Sequence, residues 1–280
     1  MFKHLNAAIL LTALMMTNHS FAGHDEALAA ASKSDFATAL KEWQPMANQG
    51  DAVAQYSLGV MYRDGEGVTK DYDQAVKWFR KAAVQGDVNA QFNLGGMYVK
   101  GQGVVKDYAQ ALPWFLKAAE QEDMMAQYTL GIMYINGNGV TQDFAQARKW
   151  FRKSAGQGYA NAQYSLGVMY NKGNGIAQDF VEAMKWFRKA ADQGYARAQY
   201  SVGSMYNNGE GVAEDFVQAE SWIRKAADQG NADAQYGLGI MYSTGQGVSK
   251  DLSLAIHWFG KAAKQGHAEA KKILPVQNPD

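Results

Sequence analysis

The stretch Ala54-Gln55-Tyr56-Ser57-Leu58-Gly59-Val60-Met61-Tyr62 decides the fold because it recurs. It is followed by Gly65-Glu66-Gly67-Val68, then by Asp71, Ala75, Trp78-Phe79, Ala82-Ala83 and Gly86. Ala-Gln-aromatic begins again at Ala90, Ala126, Ala162, Ala198 and Ala234, always 36 residues on. Trp78, Trp114, Trp150, Trp186, Trp222 and Trp258 keep the same register, so six copies cover residues 51–266. Self-similarity at such a period marks an array of small structural units.

Each unit reads as two helices. Ala54, Leu58 and Met61/Tyr62 form an i, i+4, i+7/8 stripe on the first. Gly59 lies on the same packed side, where the missing side chain lets a neighbour come close. The second helix starts at Asp71, whose carboxylate accepts free backbone N–H groups of the first turn, with Gln74 completing a capping box. Tyr72, Ala75, Phe79 and Ala82/Ala83 form its buried stripe, and Gly86 ends it in a left-handed conformation. One such pair cannot bury its apolar faces alone, so the copies must stack. The predicted fold is all-α, a right-handed superhelical solenoid of antiparallel helix pairs.

The wider composition agrees. The chain has 280 residues, with 29 Gly, 4 Pro, no Cys, and 27 Lys+Arg against 27 Asp+Glu. The repeat places most of the glycine at turns, helix ends and close contacts, and it replaces the two-domain expectation that length alone suggests. Zero formal charge argues against a nucleic-acid binder. The lack of cysteine removes disulfides, thiolate metal sites and a cysteine nucleophile together.

Residues 1–22 read as a cleavable signal peptide. Lys3 and His4 precede an apolar run from Ala7 to Met16, and Ser20-Phe21-Ala22 offers a small-x-small cleavage site. The run is short of the roughly 20 residues that span a bilayer, so no transmembrane segment is expected in the mature chain. The expected location is periplasmic or secreted, with cleavage near Ala22. Residues 23–50 read as an N-terminal capping helix pair, 267–274 as a C-terminal capping helix stopped by Pro275, and 275–280 as a disordered tail.

The unit resembles the Sel-one-like repeat (SLR), a relative of the tetratricopeptide repeat. The likeness rests on Ala54, Leu58, Gly59 and Tyr62, on the loop Gly65, Gly67 and Val68, and on Asp71, Ala75, Trp78, Ala82 and Ala83. It covers nearly all of the mature chain. The resemblance implies an adaptor, scaffold or regulatory binding protein of the bacterial envelope that engages another protein through a concave groove. It also brings in cysteine-rich relatives linked to β-lactam binding or hydrolysis, whose cysteines are absent here.

Catalytic chemistry has no candidate in the residues, and neither a cofactor nor a metal is expected. The Gly-x-Gly loops lack the third glycine of a dinucleotide fingerprint and the Gly-Lys-Ser/Thr of a phosphate loop. Asp64, Glu66 and Asp71 miss the spacing of a calcium loop. His24, His257 and His267 stand at no metal-ligand spacing, and His257 takes the place of Lys77 and Lys149 on a solvated face. A basic ladder, Lys77-Arg80-Lys81 and its equivalents, suits the later turns of a helix, where cations favour the dipole. Its alternative use is an anionic cell-wall or glycan polymer, which remains the second functional class; a hydrolase is the third.

A partner would meet the face of the first helix opposite the buried stripe. About 200° round from Ala54 lies Tyr56, heading a ladder of Phe92, Tyr128, Tyr164, Tyr200 and Tyr236. These rings either pack on the next repeat or bind. The variable positions beside them are apolar at Val99, Met125, Ile132 and Ile135, and polar at Asn171, Arg197, Ser204 and Asn207. Pattern breaks coincide with the apolar zone: Pro113 should bend its helix, Leu116 replaces an Arg, and Glu122 replaces the helix-ending glycine. Repeats two and three are therefore expected to hold the main contact. The predicted site comprises Phe92, Val99, Met125, Tyr128, Ile132, Ile135, Tyr164, Asn171, Arg197 and Tyr200.

Overall fold

A computed structural model describes residues 21–274. The signal segment through Ser20 and the tail 275–280 lie outside the described residues. The helices are α1 (Phe21–Ser32), α2 (Phe36–Asn48), α3 (Ala52–Asp64), α4 (Tyr72–Val84), α5 (Val88–Lys100), α6 (Tyr108–Glu120), α7 (Met124–Asn136) and α8 (Phe144–Gly156). They continue as α9 (Ala160–Lys172), α10 (Phe180–Asp192), α11 (Ala196–Asn208), α12 (Phe216–Asp228), α13 (Ala232–Thr244), α14 (Leu252–Lys264) and α15 (Ala268–Ile273). The architecture is an all-α solenoid of paired antiparallel helices, with no strand among the described residues. The chain forms two compact units. One runs to Leu130 and includes Gly137–Thr141; the other holds Gly131–Asn136 and everything from Gln142.

The second helices begin as the sequence indicates. Asp71, Asp107, Asp143, Asp179, Asp215 and Asp251 each accept the backbone N–H three residues on. The reciprocal half of the expected capping box does not form. The backbone N–H of Asp71 donates instead to the carbonyl of Tyr62 at 2.8 Å, and that of Asp215 to Tyr206 at 3.0 Å. A carbonyl at the end of the preceding helix thus takes the donor for which Gln74 would compete. The hairpin itself closes that position.

Each helix end is closed differently. The first helix stops at a left-handed glycine, as at Gly65, whose N–H bonds the Met61 carbonyl at 2.8 Å. The second ends in a Schellman arrangement, with Asp87 N–H bonding Ala82 and Gly86 N–H bonding Ala83. Glu122 occupies the place of Gly86 and still has φ +67°, because the stacked repeats impose the turn. A side chain there costs roughly 1–2 kcal/mol. Glu122→Gly should therefore raise stability by about 1 kcal/mol, read as a higher urea midpoint. A lowered midpoint would show that contacts of the glutamate outweigh the strain. At Pro113, α6 keeps 13 residues and runs through the proline. The lost N–H falls on the exposed side, so the helix continues.

The core is built from small and large residues in alternation. Ala75, Phe79 and Ala82 of the second helix are fully buried, while Leu58 and Met61 of the first pack with Ala39, Trp43 and Ala47 of the preceding helix. Gly167 shows the close contact that the pattern requires: a Cβ there would stand 2.4 Å from the Phe187 ring. Within a repeat the phenylalanine thus lies in the groove left by the helical glycine.

A polar row joins neighbouring repeats. Gln199, 6% exposed, donates from Nε2 to the Ala191 carbonyl at 3.2 Å and accepts from Gln229 Nε2 at 2.7 Å. Gln55, Gln91, Gln163 and Gln235 make the same pair of bonds. A buried amide must be satisfied, and here its donor reaches the preceding repeat while its oxygen accepts from the end of its own.

Candidate functional site

The aromatic ladder packs, mainly on its own repeat. Tyr56, Phe92, Tyr164 and Tyr236 meet Phe79, Phe115, Phe187 and Phe259 at ring-centroid distances of 5.8, 5.7, 5.5 and 5.6 Å. The next repeat contributes where its first helix is preceded by an aromatic residue. Tyr195 stands edge-on to Tyr164 at 5.3 Å, and His267 stacks on Tyr236 at 4.5 Å. Expecting the rings to rest on the following repeat alone misses the phenylalanine, whose approach the helical glycine permits.

The basic ladder is also engaged within the chain. Lys81 Nζ lies 3.9 Å from the Trp78 ring centroid, and Lys225 stands likewise over Trp222. Lys117, Lys153, Lys189 and Lys261 repeat the arrangement over Trp114, Trp150, Trp186 and Trp258. Residues i and i+3 share a helix face, so each lysine covers the tryptophan of its own turn. Arg80 and Arg224 reach forward to the hydroxyls of Tyr98 and Tyr242. His257 is exposed, as expected.

The predicted partner residues fall into separate sets. In the first unit, Phe92, Val99 and Tyr128 are half-buried and Met125 is 37% exposed. In the second unit, Ile132 and Ile135 are half-buried on α7. Also in the second unit, Tyr164, Asn171 and Tyr200 come together in one concave pocket of about 190 Å³. Val168, Phe187, Ser204 and Met205 complete its walls, with Lys172, Ser201 and Glu210 at its polar side. Arg197 is exposed, and its carbonyl accepts from Ser201 Oγ at 3.1 Å.

The pocket follows from side-chain length at aligned positions. Helices α9 and α11 present Asn171, Ser201 and Ser204 where longer side chains would close the gap. Among the described residues, the side chains of Asn171 and Ser204 have no partner, so they remain available to a ligand. Burial, and then the charge of Asp233, push the Tyr200 phenol above its usual pKa, so it stays protonated at neutral pH. Lys172, Ser201 and Glu210 were not singled out from the sequence. Their signal is position: they align with Asp64, Asn93 and Gln102, whose side chains are bonded three repeats earlier.

Among the described residues, no group of three or more His, Cys, Asp or Glu could hold a metal ion. No helix among them is long and apolar enough to cross a membrane.

The Sel1 repeat family matches at residues 52–87, 88–123, 125–159, 160–195, 196–231 and 232–267. Among solved structures, one similar chain is c5321, a protective antigen present in uropathogenic Escherichia coli strains and displaying an SLR fold. It has a TM-score of 0.82 and 34% identity, over 92% of this chain and 59% of that one. A Sel1 repeat protein from Oxalobacter formigenes has a TM-score of 0.77 and 35% identity, over 86% of this chain and 99% of that one. This chain thus spans 59% of the length of the first and nearly all of the second. No curated protein matches it.

Proposed function

Since the chain belongs to the Sel1 repeat family, we propose that it is a scaffold or adaptor of the bacterial envelope, holding another protein against its first helices. The fold is typical of proteins that act through protein–protein interaction. The observation that carries the reading is the contrast between the two helix faces. In each repeat a lysine of the second helix lies over the tryptophan of its own turn, whereas the first helices α9 and α11 hold an open pocket with unpartnered polar side chains. That contrast also weakens the anionic-polymer alternative, whose support was the basic ladder. A location in the periplasm or outside the cell belongs to the same proposal, supported by the signal-like leader.

Display, with no chemistry of its own, is the mechanism. Rings fixed by stacking give a rigid apolar platform at low entropy cost, and the variable side chains beside them select the partner. Phe92, Val99, Met125 and Tyr128 are proposed as contacts on the first unit, and Ile132, Ile135 and Arg197 as contacts on the second.

Site-specific photocrosslinking in the native envelope tests this. A crosslinker at Ser204 should capture a protein, while one at Lys185 on α10 should not. Replacing Tyr128 and Ile135 together by alanine should weaken capture roughly tenfold with helicity retained. Capture of glycan instead of protein, equal capture from both faces, or capture unchanged by the double substitution would overturn the reading.

A further inference from the structure

We propose that the pocket between α9 and α11 receives the guanidinium of an arginine carried by a segment of the partner. The inference rests on the protein-binding reading above and adds the chemistry of what enters. Its basis is that the same chain already fills the equivalent place in its first unit with an arginine of its own.

Three repeats separate the two places, so residues 108 apart in the sequence correspond. In the first unit, Arg63 of α3 extends from one first helix to the next and bonds Asn93 of α5. Its guanidinium also bonds the carboxylate of Asp64, with Nε donating at 2.8 Å. The carbon at its centre lies 6.0 Å from the Phe79 ring centroid, beside Tyr56. Arginine is thus held there by an amide oxygen, a carboxylate and an aromatic face.

The second unit keeps the aromatic face of that receptor and lacks the arginine. Phe187 and Tyr164 correspond to Phe79 and Tyr56, and their rings pack together in the same way. Asn171 stands where Arg63 does and Ser201 where Asn93 does, and both are shorter. Ser201 turns its hydroxyl to the Arg197 carbonyl. The space that Arg63 would occupy is therefore open, and it is the pocket described above.

What lines it is complementary to a flat cation with several donors. Asn171 Oδ1, Ser204 Oγ and the Glu210 carboxylate offer acceptors around the aromatic floor. A guanidinium is planar, stacks on such a floor and directs its donors outward in the plane, whereas an ammonium is a compact charge that retains its water. Two cations stand nearby. Arg197 is exposed, and Lys172 occupies the place of Asp64, the carboxylate partner of Arg63. Lys172 opposes an incoming arginine and so provides a sensitive position for a test.

N-acetyl-arginine methylamide is the probe, titrated into the purified full chain and followed by backbone amide shifts in α9 and α11. It should bind in the millimolar range, about tenfold more tightly than the uncharged, isosteric citrulline analogue. Asn171→Arg places the chain's own guanidinium in the pocket, as in the first unit, and should weaken probe binding at least about tenfold without lowering the melting temperature. Lys172→Asp changes only an exposed side chain and restores the carboxylate that Arg63 has; it should tighten binding about tenfold. No shifts in α9 and α11, equal binding of the arginine and citrulline probes, or failure of Lys172→Asp to tighten binding would overturn the assignment. If Asn171→Arg lowers the melting temperature, the Lys172→Asp comparison decides alone. The probe contains no protein, so its failure leaves the scaffold reading to be judged by envelope crosslinking.

Discussion

Gly211→Ala is expected to lower stability by roughly 2–5 kcal/mol, against roughly 1–2 kcal/mol for Gly194→Ala. Both glycines have positive φ, +70° and +86°, so an alanine is strained at either. Their surroundings differ. A Cβ at Gly194 meets nothing within 4 Å, whereas at Gly211 it would stand 2.4 Å from the Phe180 carbonyl oxygen. That oxygen belongs to the first turn of α10, in the preceding repeat. Backbone cannot swing aside as a long side chain can, so the loop or the helix must shift. Urea unfolding together with amide exchange in α10–α12 would read both variants, since a repeat array need not unfold in one step. Equal losses at the two glycines would show that the loop serves only as a turn.

Gln199→Leu should cost about 2 kcal/mol, while Gln229→Ala should cost less than about 1 kcal/mol. The two glutamines share a hydrogen bond but differ in burial. Removing Gln199 leaves the carbonyl of Ala191, a residue 2% exposed, with the Gly194 N–H as its one remaining donor and takes away the acceptor of Gln229 Nε2. Gln229 is exposed, so losing it leaves an amide oxygen that water can reach. Gln199→Glu should be worse than Gln199→Leu at neutral pH, because it sets a carboxylate against the same carbonyl. Amide exchange around Ala191 would show the opening locally. Comparable losses for Gln199→Leu and Gln229→Ala would mean that the buried row contributes no more than its exposed end.

Both predictions concern residues visible in the repeat whose function there was not. Gln55 and its equivalents are as regular as Trp78, yet periodicity assigns no task to a polar residue. Its partner lies eight residues earlier in sequence, across a turn into the preceding helix. Gly67 and its equivalents were read as turn formers, and they are; their second property is contact with a helix start about 31 residues earlier, as between Gly211 and Phe180. Asp71 was read correctly as a cap, while Gln74 was assigned a bond that the Tyr62 carbonyl had already removed the need for.

The candidate site divides in the same way. Helix periodicity placed Tyr164, Asn171 and Tyr200 on one face, and they line one pocket. It could not show that Arg63 fills the equivalent space while Asn171 leaves it open, because that depends on side-chain reach across a gap between two helices.

The period, the helix pairs, and their caps and stops were legible in the amino-acid sequence alone. These depend on residues within about one helical turn of each other or on exact repetition. Only the tertiary structure decided where the lysines rest, which rings stack, how the glutamines join repeats and where the surface stays open. Each of these depends on distances between side chains, or on atoms brought together from neighbouring repeats. Repeats of the same helix pattern then differ in surface because Arg63 reaches across to the next first helix and its equivalent, Asn171, does not.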